Sequence, residues 1–139
     1  MKNLKPTKLF LSIIASTFLL WNCSSDDLIA DVSLTEGINN DIGGDFTGNG
    51  GNVTEIFNWR NDLNTADFNA DITASTTGIF QMIVKDSEGT TVLDRNIDGN
   101  MEPDTFSGVT ASGASGLWTV TINLTRFNGD GSFTLSEGD

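Results

Sequence analysis

Within a strand expected over residues 117–127, positions 118–125 alternate strictly between apolar and polar side chains, and this pattern sets the fold class. Trp118, Val120, Ile122 and Leu124 fall on one side, and Thr119, Thr121, Asn123 and Thr125 fall on the other. Successive side chains of a strand point to opposite faces, whereas a helix brings its apolar residues round about every 3.6 positions. The segment therefore predicts a strand with one buried and one solvated face. Such a strand needs a second layer against which to bury its apolar side.

The same texture recurs along the chain. Val53, Phe57 and Trp59 oppose Thr54 and Asn58, and Phe68, Ala70, Ile72 and Ala74 repeat at period two. Residues 79–85 form a denser apolar run, and shorter strands are expected over 90–97, 106–110 and 132–136. Asp86-Ser87-Glu88-Gly89 and Asn128-Gly129-Asp130-Gly131 supply turn chemistry between them. No segment sustains a helical period. About seven strands at a spacing of about 8–12 residues predict an all-β fold, an antiparallel β-sandwich of immunoglobulin-like or jelly-roll-like type.

The N-terminus has a different character. Lys2, Lys5 and Lys8 precede a nearly unbroken apolar run over residues 9–21, which leads to Cys23, the single cysteine of the chain. A bilayer-spanning helix needs about 20 apolar residues, so this run has the length of an export-signal core and falls short of a membrane span. Leu20-Trp21-Asn22-Cys23 resembles the lipobox of bacterial lipoproteins, and Ser24-Ser25-Asp26-Asp27 resembles the acidic export tag of Bacteroidota surface lipoproteins. The resemblance covers residues 1–27. It implies a signal peptide over 1–22, lipid attachment at Cys23, and an outer-membrane location facing the cell exterior.

Cleavage before Cys23 leaves Arg60, Lys85, Arg95 and Arg126 as the only basic residues against 19 acidic ones, a net charge of −15. No cluster of Lys or Arg is present to neutralise phosphates, which excludes a nucleic-acid-binding role. The chain has neither histidine nor tyrosine. Triad catalysis, the usual zinc ligand and phenolic acid catalysis are thereby removed. The acidic residues cluster at turns, where paired carboxylates would be solvated, so the expectation is a noncatalytic protein with no cofactor.

Residues 23–52 hold six glycines and five aspartates, with Phe46 as the only aromatic. This composition predicts a lipidated flexible tether, with the β-sandwich domain over 53–139. An alternative is that Leu28, Ile29 and Ile42 dock as an edge strand. Within the domain, Ile83-Val84-Lys85-Asp86, Gly89-Thr90-Thr91-Val92-Leu93 and Gly116-Leu117-Trp118-Thr119-Val120 resemble the accessory β-sandwich domains of secreted bacterial proteases. That resemblance implies a noncatalytic module.

Two local patterns carry candidate chemistry. Asp94, Asn96, Asp98, Asn100 and Glu102 place oxygen at alternate positions with Gly99 at the sixth, as in the first half of an EF-hand calcium loop. Thr105 stands where that loop has its glutamate, and the flanks read as strands. The favoured reading is therefore a β-hairpin with Asp98-Gly99 in a type I′ turn and no metal. Trp59 ends its strand before polar Arg60-Asn61-Asp62, where it could stack against a sugar ring or simply close the core, while Trp118 lies in the inward register. The outward threonines of 119–125 suit a flat binding face or merely a solvated strand. The reading that follows is a binding or structural subunit of an outer-membrane assembly with a protein partner; the alternative is an independent glycan-binding or adhesion module.

Overall fold

The computed structural model describes residues 27–138. Cys23 and the expected signal segment lie outside the described residues. Seven strands make up the fold: β1 (Ala30–Glu36), β2 (Ile42–Asn61), β3 (Ala66–Ile72), β4 (Thr77–Lys85), β5 (Thr91–Asp98), β6 (Thr105–Val109) and β7 (Gly116–Glu137). Every pairing is antiparallel.

Strands β2 and β7 have 20 and 22 residues, and they pair along almost their whole length. Fully straight, either would run to about 66 Å or more at about 3.3 Å per residue, longer than so small a domain. Both therefore bend midway. The register between them slips on either side of Gly51, and Gly50 with φ 109° and Arg126 with φ 46° adopt the left-handed backbone that the corner needs.

The bend turns one hydrogen-bonded sheet into two layers. The first half of β2 and the second half of β7 join β1, β3 and β6 in the order β1–β2–β7–β3–β6, and the second layer is built from the second half of β2 and the first half of β7 with β4 and β5. Aromatic rings bridge the two. Phe46 stacks on Phe80 with centroids 4.4 Å apart, and Phe57 faces Phe133 at 6.4 Å. Inward residues of 117–127, namely Trp118, Val120, Ile122 and Leu124, are all buried, so the alternation that predicted a two-faced strand is realised.

Two expectations fail. Residues 23–52 are no tether over their described part, because β1 and the first half of β2 lie inside it and Phe46 and Ile42 are core residues. The glycines that suggested flexibility instead admit close packing. A Cβ on Gly44 would stand 2.0 Å from the Ser33 carbonyl oxygen and 2.8 Å from the Phe133 ring. The folded unit accordingly includes residues 30–52 as well as 53–138. Likewise, Asn128-Gly129-Asp130-Gly131 is no turn: these residues pair with β2 as the continuous middle of β7.

The β1–β2 connection does turn tightly. Asn39 and Asn40 have φ of 61° and 62°, the consecutive left-handed pair of a type I′ hairpin. The Trp59 indole N–H donates to the Asn40 carbonyl, which ties this hairpin to the far end of the second layer.

Candidate functional site

Because β2 pairs β7 and β7 pairs β4, the outward residues of three strands line up across the second layer. Thr54 stands opposite Asn123, and Asn123 stands opposite Gln81. Their side chains are bonded in sequence. Thr54 Oγ1 donates to Asn123 Oδ1 at 2.8 Å, Asn123 Nδ2 to Gln81 Oε1 at 3.1 Å, and Gln81 Nε2 to Asp94 Oδ1 on β5 at 2.8 Å. The result is a polar ladder over four strands, about 14 Å from end to end at about 4.8 Å per strand.

This ladder is both fixed and unsaturated. An amide side chain has two N–H donors and an oxygen with two lone pairs. Asn123 and Gln81 each use one donor and one lone pair within the ladder. Each keeps one N–H and one lone pair for something else, and Thr54 and Asp94 keep acceptor capacity. Beside the ladder lies an open depression of about 400 Å³, lined by Asn52, Thr54, Gln81, Asn123 and Thr125. Two residues further along the strands, about 6.7 Å away, runs a second row with Ile56 opposite Thr121 and Thr121 opposite Ile83. Ile56 is 63% exposed, so the face pairs a hydrogen-bonding row with an apolar one.

A larger depression, about 480 Å³, opens on the outer face of the first layer around Thr35, Gly43, Asp45, Ser132 and Thr134. Among the described residues, none of these side chains is bonded to another side chain. Their polar groups are free to rotate, and a ligand would have to order each of them on binding.

The residues singled out from the sequence fall elsewhere. Trp59 is 3% exposed, with its ring edge-on to Trp118 and its N–H committed to Asn40, so it presents no stacking platform. Trp118 is fully buried and donates to the Ala114 carbonyl at 2.7 Å. The calcium-loop pattern is spread out, since Asp94, Asn96 and Asp98 belong to the extended strand β5. Asp94 and Asp98 sit about 13 Å apart along it. Asp94 joins the ladder, while Asp98 Oδ1 accepts from the backbone and side-chain N–H groups of Asn100. Among the described residues no group of three or more His, Cys, Asp or Glu converges on a point that could hold a metal.

The expected hairpin at Asp98-Gly99 is also absent. Strand β5 pairs with β4 and β6 with β3, so this connection crosses between layers. Neither Asp98 nor Gly99 has the positive φ of a type I′ turn. A single β-turn closes there, with Met101 N–H donating to the Asp98 carbonyl at 3.0 Å.

One carboxylate has a distinct environment. Asp86 accepts the N–H groups of Ala114 at 2.9 Å, Thr90 at 2.8 Å and Glu88 at 3.0 Å. These bonds, Ala114's first, hold its pKa below the ordinary 3.8 against the opposing effect of burial. It joins the β4–β5 turn to the segment before β7, far from the ladder, and serves the fold.

No family model matches the chain, and no curated protein does. Among solved structures, the chain is similar to one described as "CBM4 structure and function", with 14% identity over 81% of this chain and 92% of that chain and a TM-score of 0.35. It is also similar to a family 11 carbohydrate-binding module from Clostridium thermocellum in complex with a β-1,3-1,4-mixed-linked tetrasaccharide. That match has 11% identity over 80% of this chain and 81% of that one, with a TM-score of 0.35.

Proposed function

We propose that this chain is a noncatalytic, lipid-anchored binding module of the bacterial cell surface that takes a neutral glycan on the outer face of its second layer. The observation that carries the reading is the ladder Thr54–Asn123–Gln81–Asp94. Sugar hydroxyls each donate and accept, and a row of fixed amides with one spare donor and one spare acceptor apiece matches that pattern. The parallel row Ile56–Thr121–Ile83 supplies an apolar strip for the C–H groups of a pyranose ring. Groups already ordered by one another lose little entropy on binding.

The charge supports a neutral ligand, since a mature net charge of −15 repels polyanions at long range. The same face favours a glycan over a protein partner. Its flat polar surface lacks the aromatic anchor around which protein interfaces usually concentrate their binding energy. Anchoring rests on the lipobox-like Leu20-Trp21-Asn22-Cys23.

A glycan array probed with the mature chain carrying Cys23→Ser tests the reading. Binding to neutral oligosaccharides is expected, with loss of about 10-fold or more in affinity for a Gln81→Ala/Asn123→Ala variant, two hydrogen bonds at about 0.5–1.5 kcal/mol each. Binding that survives the double substitution unchanged, or no binding to any glycan, would overturn it.

A further inference from the structure

We infer that the domain stands directly on the lipid bilayer at the corner where β2 and β7 bend, with Leu28 and Ile29 seated in the interface between headgroups and acyl chains. The inference rests on the anchoring at Cys23 proposed above.

Three observations lead to it. Asp27 is only four residues beyond Cys23. An extended chain spans at most about 3.6 Å per residue, so the acylated residue and Asp27 lie within about 14 Å of each other. That leaves no room for a domain suspended on a long tether.

The chain from residue 27 on is also fixed to the corner. Ile29 N–H donates to Asn49 Oδ1 at 2.6 Å, and the Ile29 carbonyl accepts from Asn49 and Gly51 at 3.0 and 3.2 Å. Asn49 Nδ2 in turn donates to the Asp27 carbonyl at 3.3 Å. The position of the anchor therefore determines which end of the molecule meets the membrane.

Finally, that end carries the side chains a bilayer would take. Leu28 and Ile29 are 68% and 62% exposed although the backbone between them is held. The register Ile79↔Asp98 and Thr77↔Asn128 brings exposed Met101, just past β5, to the same end. Arg126, also at the corner, is exposed and without an ion-pair partner among the described residues. Exposed aliphatic side chains with a cation at the phosphate level are the composition of an interfacial contact. Charge over the domain is repulsive, Asp27 beside Leu28 and Glu102 beside Met101 included, so the acyl chains supply the affinity and the corner supplies the orientation. The strands then stand upright, and the ladder runs parallel to the bilayer about 10 Å above the corner, three residues along β2 from Gly51.

The test uses the full chain expressed with its signal, purified in detergent and reconstituted into vesicles of phosphatidylethanolamine and phosphatidylglycerol. Acylation would block the thiol of Cys23, so an introduced cysteine accepts an environment-sensitive fluorophore alone. Leu28→Cys is compared with Ile38→Cys, at the hairpin tip of the opposite end and 82% exposed. With brominated acyl chains, the label at 28 should lose at least about half its emission, as expected for a group about 5–10 Å into the interface, and the label at 38 none. Equal quenching at both positions, or none at 28 with Cys23 acylated by mass spectrometry, would overturn the inference alone. An unacylated Cys23 would overturn the anchoring and this inference together.

Discussion

A carboxylate that accepts three backbone N–H groups is stabilised only while it is charged, and Asp86 gives the residue scale its clearest pH signature. Its folded pKa lies below the ordinary 3.8. The stability it contributes is therefore fully present above that ordinary value and is lost as the pH falls through the lower folded value. Replacing it by Asn turns an N–H toward a donor that needs an acceptor. Thermal melting should show Asp86→Asn melting lower than the parent at neutral pH, with the gap closing in strong acid. A gap constant from pH 7 downward would contradict the assignment. Little of this was legible in the sequence, where Asp86-Ser87-Glu88-Gly89 read only as turn chemistry. The bond to Ala114 joins residues 28 positions apart, and no local pattern encodes it. Trp59 was left open between rim and core for a related reason. Polar Arg60-Asn61-Asp62 suggested a rim, but the indole closes against a hairpin 19 residues upstream.

Among the elements, the first half of β2 is the most instructive. Its glycines lower apparent hydrophobicity and imitate a linker, yet Phe46 stacks on Phe80 and lies edge-on to Phe127 at 5.3 Å. Phe46→Ala should cost about 3–5 kcal/mol of unfolding free energy in a urea titration, the usual range for a buried aromatic. A flexible segment would give a change near zero. The period-two strands, by contrast, were readable, because each buries one face and keeps strict alternation, as in β3 with Phe68, Ala70 and Ile72 inward. The continuity of β7 was not. Asn128-Gly129-Asp130-Gly131 has the composition of a hairpin turn, and only pairing with β2 keeps it extended. The outward row of β7 was visible as Thr119, Thr121, Asn123 and Thr125. Its function as part of a ladder depends on Thr54 and Gln81, which strand order alone brings alongside.

At the scale of the whole molecule, a single folded sheet sets the anchor end, the ladder and the far hairpin in fixed relation. If the corner meets the bilayer, a glycan bound along the ladder lies parallel to the membrane, within reach of chains attached to the cell's own surface. The acidic first layer then forms the opposite outer face, with Asp45 and Asp71 flanking Ser132 on its outward side. Ligand should bind at the ladder and at no other face, and backbone amide shift mapping by NMR resolves this residue by residue. Titration of the isotope-labelled Cys23→Ser mature chain with the best array oligosaccharide should shift Thr54, Ile56, Gln81, Thr121 and Asn123 while leaving Asp45, Ser132 and Thr134 in place. Shifts confined to the Asp45–Ser132–Thr134 depression, or spread evenly over both layers, would contradict it.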